Sequence, residues 1–158
     1  MIQKITPFLW FDSQAEEAAK FYVSIFNDSK ITSISHYGEG APVPAGTVMA
    51  VAFQIEGQQF TALNGGPLFG FTEAISFVVH CQNQAEVDYY WEKLTSGGTE
   101  VQCGWLKDKY GVSWQVVPDK LMELLNHPDA AKAQRVTQAM LQMVKLDLNV
   151  LQEAADRV

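Results

Sequence analysis

The residues equipped for chemistry concentrate in one stretch, CGWLKDKYGVSWQVVP at 103–118. Cys103 offers a thiol. No histidine adjoins it to serve as a base, so a buried, inert cysteine competes with a nucleophile. Trp105 offers an aromatic face on which a flat ligand can stack. Lys107 and Asp108 precede a strand and read as a solvated turn, with a gate over a groove as the alternative. Gln115 is the unusual one, because it interrupts Trp114–Val117, which otherwise has the apolar character of a buried strand. An amide brings donors and an acceptor without a charge, and a buried one must find partners. It suits either a neutral polar group on a ligand or neighbouring side chains in a wet groove. Outside this stretch, His80 sits alone in AISFVVHC (74–81). An imidazole titrates near neutrality and suits a general base. The competing reading is a rim or core histidine with a satisfied ring. His36 and His127 read as loop residues. Trp10, Trp91 and Trp114 read as helix-to-sheet core.

The elements that must position these groups follow from hydrophobic periodicity. IQKITPFLWF at 2–11 reads as a strand, and Ser13 with Glu16 has capping-box spacing that starts a helix with an Ala18, Phe21, Tyr22, Ile25 stripe. Strands follow at about 30–37, 47–55 and 58–63, the last two joined by the hairpin turn Glu56-Gly57. After Asn64-Gly65-Gly66-Pro67 the order begins again. There is a strand at 74–81, then Asn83 and Glu86 at capping-box spacing. A Val87, Tyr90, Trp91, Leu94 stripe follows, Gly97-Gly98 stops the helix, and strands come at about 99–107 and 112–117. Superposing Gln14-Ala15-Glu16 on Gln84-Ala85-Glu86 places Ile5 on Ile75 and Thr6 on Ser76. The expected fold is α+β: two β-α-β-β-β units (1–66 and 67–120) whose sheets pair around an incompletely closed groove, within a domain spanning 1–120. The tail, 121–158, reads as helical. A short helix lies around Leu121–Leu125. A second spans 129–145 with Ala133, Val136, Met140 and Val144 on one face, and a third is capped by Asp147. That apolar face needs a cover, from its own subunit or from a partner.

Bulk properties narrow the function. The chain has 158 residues, 47% hydrophobic and 18% charged, with a net charge of −7. This is ordinary for a globular protein and unfavourable for nucleic-acid binding, which needs a basic footprint. No apolar run is long enough to cross a membrane and no signal-peptide pattern is visible. Two cysteines make no disulfide framework. The expected location is cytoplasmic.

The paired units resemble the vicinal-oxygen-chelate superfamily, the fold of glyoxalase I, extradiol dioxygenases and bleomycin-resistance proteins. Within it they resemble the 3-demethylubiquinone-9 3-methyltransferase-like branch. ITPFLWFDSQAEEAAKFY (5–22), ALNGGP (62–67), AISFVVHC, the 103–118 block and the tail stretch QAMLQMVKLDLNVLQEA (138–154) carry the likeness. The resemblance implies four inward ligand positions on the first and last strands of each unit, usually His or Glu, holding a divalent ion. In this sequence they fall on Gln115, on Ser76, on Thr61 (opposite Gln115 when Gly57 is aligned with Gly111), and on Ile5, Thr6 or Pro7, with Thr6 favoured by the repeat. None is a strong metal ligand, so no metal and no cofactor are expected. His80 shares a face with Ser76 by strand alternation.

The methyltransferase label fares no better. Gly65-Gly66 lies between the units and is followed by proline, whereas a nucleotide-type loop opens a helix. The first functional expectation is therefore a small-molecule-binding protein without the usual metal ligands, its ligand contacting Thr61, Ser76, His80, Trp105 and Gln115. Whether it catalyses a reaction is left open. The alternatives are an enzyme of the glyoxalase or dioxygenase class, or the labelled methyltransferase. A resistance protein that sequesters a cationic drug is the third. The expected partners are a small molecule and a second copy, in a homodimer to which the tail helices contribute, with neither nucleic acid nor membrane.

Overall fold

The computed structural model describes residues 3–158. The chain divides into two compact units, one ending at Phe71 and the other spanning Thr72–Val158. Each carries a four-stranded mixed sheet, and neither sheet closes into a barrel.

The first unit runs β1 (Phe8–Phe11), α1 (Ala15–Ile25), β2 (Lys30–His36), β3 (Val48–Ile55), β4 (Gln58–Asn64). Its sheet order is β1-β4-β3-β2, with β1 parallel to β4. Glu56 and Gly57 both take positive φ, as a tight hairpin turn between twisted strands requires. Alternation along β3 and β4 turns Val51, Phe53, Ile55, Phe60 and Ala62 into the core. There they meet the buried face of α1, made of Ala15, Ala18, Ala19, Tyr22 and Ile25. Tyr22 stacks on Phe53 at 6.1 Å, and Phe53 on Phe60 at 5.4 Å. Each buried aromatic of this kind contributes about 2–3 kcal/mol of transfer free energy.

Three expectations for this unit need correction. The helix is not started by Ser13. Gln14 stands at the N-cap without a side-chain bond, and the free N–H of Ala15 instead donates to Asn64 Oδ1 at 2.8 Å from β4. The first strand forms only from Phe8 onward, and residues 1 and 2 lie outside the described residues. Trp10 is not beneath the helix, since it alternates with the buried Leu9 and Phe11. Its indole donates to Gly66 O at 2.9 Å and meets Phe69 edge-on at 4.9 Å.

The second unit repeats the order: β5 (Ser76–Cys81), α2 (Gln84–Thr95), β6 (Thr99–Glu100), β7 (Trp105–Lys107), β8 (Ser113–Pro118), with sheet order β5-β8-β7-β6 and β5 parallel to β8. The two sheets share their register. Phe8, Thr61 and Ala52 form one rung of the first, and Val78, Gln115 and Trp105 form the matching rung of the second. At the start of α2 the capping box is real: Asn83 Oδ1 accepts from Glu86 N and Glu86 Oε2 from Gln82 N, each at 2.9 Å. Val87, Trp91 and Leu94 are its buried face.

The tail folds as α3 (Asp119–Leu125), α4 (Ala130–Leu141) and α5 (Leu148–Asp156), with Asp129 and Asp147 capping the last two. Val136, Leu146, Leu151 and Ala155 join Leu121, Leu124 and Val117 of β8 in one core, with Met140 packed against it. Val144 lies beyond the end of α4, and its carbonyl accepts from Gly104 N at 2.7 Å. The tail's apolar face is thus covered by its own unit, which removes the argument that it needed a partner's surface.

Candidate functional site

The open face of the second sheet brings most of the sequence-predicted site residues together. Along β5, β7 and β8, residues Val79, Cys81, Leu106, Trp114 and Val116 are buried on one face. Alternation places Ser76, Val78, His80, Trp105, Lys107, Ser113 and Gln115 on the other. Gln115 Nε2 donates to Ser76 Oγ at 2.9 Å across the parallel pair. The amide therefore has a protein partner and keeps its carbonyl oxygen free for another donor. Trp105 is the cross-strand neighbour of Gln115 on one side and Val78 on the other. Trp105 and Gln115 are half-buried and Val78 is exposed, so an aromatic ring, an amide and an aliphatic group lie along one rung.

The two ends of this face differ. At one end, Val117 belongs to the tail core, which closes the sheet there. His80, the rung neighbour of Val117, is exposed, with Nδ1 3.7 Å from Asp119 Oδ1. That is too long for a hydrogen bond. At the other end Lys107 pairs with Glu73, and Ser113 lies between Lys107 and Ser76 in the ladder. Ser113 is 1% exposed and its Oγ has no hydrogen-bond partner.

Asp108 departs most from expectation. It does not lie in a solvated turn, being 3% exposed. Its carboxylate accepts from Tyr110 N at 2.8 Å, Val112 N at 3.1 Å and Trp114 Nε1 at 2.9 Å. Gly111, at φ 88°, completes the turn. Asp108 thereby aims β7 into β8 and fixes where Gln115 stands. The spacing Asp-x-x-Gly, with an indole three residues later, was the available signal: Asp and Gly build turns by local bonding, and a buried indole N–H needs an acceptor.

The remaining candidates stand on other elements. Thr61 is half-buried on the corresponding rung of the first sheet, and Thr6 is exposed ahead of β1. Cys103, at φ 60°, sits in the turn before β7, its N–H held by Met143 O at 2.8 Å. Burial, with the carboxylates of Glu86 and Asp119 adding to it, pushes the Cys81 thiol up to about 12. It is therefore not a thiolate at neutral pH. His127 is in a loop as expected, with Nδ1 accepting from Asp129 N at 3.0 Å. His36 instead ends β2.

The donor set does not fit the metal of the enzymatic relatives. Hydroxyls and an amide are neutral, weak donors, and the Ser76 oxygen already accepts from the Gln115 amide. Among the described residues no three His, Cys, Asp or Glu side chains converge on one point. Gly65 and Gly66 have a packing role. A Cβ on Gly65 would come within 2.4 Å of the Trp10 ring, and Gly66 O accepts the Trp10 indole proton.

The model of one protein family, described as 3-demethylubiquinone-9 3-methyltransferase, matches residues 3–117. The tail, including 138–154, lies outside that match. The PhnB protein of Bacillus cereus, which carries the same methyltransferase label, is 41% identical, with a TM-score of 0.68 over 73% of this chain and 99% of its own. A Pseudomonas aeruginosa protein is 20% identical, with a TM-score of 0.61 over 74% and 98%. The fosfomycin resistance protein FosX of Listeria monocytogenes, solved with Mn(II) and sulfate, is 20% identical, with a TM-score of 0.52 over 79% and 97%. FosX has the vicinal-oxygen-chelate fold, which this chain shares. No curated relative matches the chain.

Proposed function

Because the chain belongs to the 3-demethylubiquinone-9 3-methyltransferase family, with a vicinal-oxygen-chelate fold and neutral groups at the ligand positions, we propose that it binds a small organic molecule without metal or cofactor. The ligand would lie on the open face of the second sheet, flat on Trp105 and hydrogen-bonded to Gln115 and Ser76. The supporting observation is the Gln115–Ser76 bond at 2.9 Å beside Trp105. At these positions the resemblance implies His or Glu as metal ligands, and this chain has a neutral hydrogen-bonded pair instead. His80 is the outlying contact on this face, and a homodimer is the proposed assembly. No helix among the described residues is long and apolar enough to cross a membrane.

The test is native mass spectrometry of protein purified gently from cells, followed by binding of the recovered ligand to Gln115→Leu. We expect a retained small molecule. The variant should weaken its binding by about tenfold or more while losing under about 1.5 kcal/mol of stability, since leucine nearly conserves volume. Unchanged affinity in a folded variant would sink the reading, and so would a metal-dependent activity abolished by chelation. Light scattering tests the assembly, with twice the chain mass of 17.6 kDa expected.

A further inference from the structure

The Lys107 end of the same face carries groups that the neutral-ligand contact does not use. Trp105 and Lys107 are two residues apart on β7 and project to one side, about 7 Å from each other. That spacing suits a flat ring and an acidic group attached to it. Ser113 is the rung partner of Lys107, and Ser76 is the rung partner of Ser113. Ser76 Oγ accepts from Gln115 and keeps its own proton to give. Ser113 Oγ is buried without a partner, which is costly unless something completes it. On a chain of net charge −7 a cation beside two hydroxyls is a local exception.

We propose that Lys107, with Ser113 and Ser76, is the subsite for the carboxylate of a planar aromatic acid whose ring lies on Trp105, and that Glu73 is the internal carboxylate holding this subsite in the ligand-free chain. The inference rests on the binding reading given above and names its ligand class. The Glu73–Lys107 pair is suited to exchange. Its side chains are 54% and 39% exposed, and ion pairs so exposed hold weakly. The hydrogen bond from Lys107 holds the Glu73 carboxyl below the usual carboxylate range, so Glu73 is an anion at neutral pH and matches the group it would yield to.

The experiment compares 4-hydroxybenzoate with the uncharged 4-hydroxybenzamide by calorimetry on the full chain and on Glu73→Gln, Lys107→Met and Ser113→Ala. Circular dichroism confirms folding first. Removing the competing carboxylate should tighten benzoate binding roughly fivefold and leave benzamide unchanged. Lys107→Met should erase the preference for the acid, and Ser113→Ala should reduce it. An acid-to-amide ratio that is the same in the full chain, Glu73→Gln and Lys107→Met overturns the subsite. If Gln115→Leu still weakens both probes in that case, the binding face stands and only its charge preference falls. Failure of the acid to bind even Glu73→Gln at millimolar concentration also overturns the proposal.

Discussion

Asp108 shows how one buried charge can serve geometry. Its carboxylate accepts three N–H groups, two from the turn and one from the Trp114 indole. Asp108→Ala would leave all three donors without that acceptor, at a cost of about 3 kcal/mol, visible as a lower denaturation midpoint. A loss below about 1 kcal/mol would mean that water replaces the carboxylate. Taken as a lone charge near a turn, Asp108 reads as solvated, because such charges usually face water. Only the Asp-x-x-Gly spacing together with Trp114 points to its burial. What buries Asp108 is a tryptophan six residues on. Gln115 was legible, since an amide in an apolar strand stands out. Its partner Ser76 was legible only through the repeat. Cys81 gives a pH-dependent counterpart. Its thiol pKa is raised in the fold, so stability is fully present below pH 9.0 and declines as pH climbs towards about 12, because the unfolded chain gives up the proton first. Cys81→Ala should flatten that alkaline decline. In native protein near pH 8, iodoacetamide should leave Cys81 unmodified by mass spectrometry, and prompt labelling would contradict the burial.

At the scale of elements, the same three-residue spacing gave one true capping box and one false one. Asn83 and Glu86 accept backbone N–H groups at the start of α2 much as the pattern prescribes, and the tail meets α2 through the Gln84 side chain instead. At α1 the Asn64 side chain arrives from a strand nearly fifty residues away and takes the Ala15 N–H. Local motifs cannot anticipate a competitor brought in by sheet pairing. The repeat itself was readable because each unit rebuilds the same ladder from the same alternation, and the matching rungs of Thr61 and Gln115 follow from it. Periodicity draws 99–107 as one strand, while the repeated β-α-β-β-β order calls for a further short strand in this half. In the structure the segment splits into β6 and β7 around the Cys103-Gly104 turn, where both residues take positive φ. Gly98 sets the distance between α2 and β7. A Cβ there would lie 2.1 Å from Lys107 O, a backbone atom that cannot swing away. Gly98→Ala should therefore cost about 2–3 kcal/mol and shift the Lys107 end of the face. An alanine variant as stable as the parent, by chemical denaturation, would show that this approach is not rigid.

On the scale of the whole chain, the question is why a family match ending at Val117 is followed by three helices. The tail takes up the last strand of the second unit: Val117 is part of the core formed by Leu121, Leu124, Val136, Leu146 and Leu151. It also reaches back to the site. Met143 O and Val144 O accept from Cys103 N and Gly104 N at 2.8 and 2.7 Å, and Gly104 O accepts from Val116 N at 2.8 Å. The turn that delivers Trp105 is thus clamped between the tail and β8. Gln84 ties the same tail segment to α2, donating to Leu146 O at 3.1 Å and accepting from Leu148 N at 2.8 Å. Leu146 is the keystone of this contact. It is fully buried, and its side chain leaves room for Gly104 only because glycine has no Cβ, which would otherwise approach to 2.9 Å. Leu146→Ala should lower stability by about 3 kcal/mol through the lost burial and the cavity it leaves. It should also loosen Trp105, so that ligand affinity falls even at temperatures where the variant is fully folded. Denaturant titration measures the first effect and calorimetry the second. A variant that loses stability but binds with parental affinity would confine the tail to a supporting role, and one that loses neither would show that the 143–146 segment does not hold the turn.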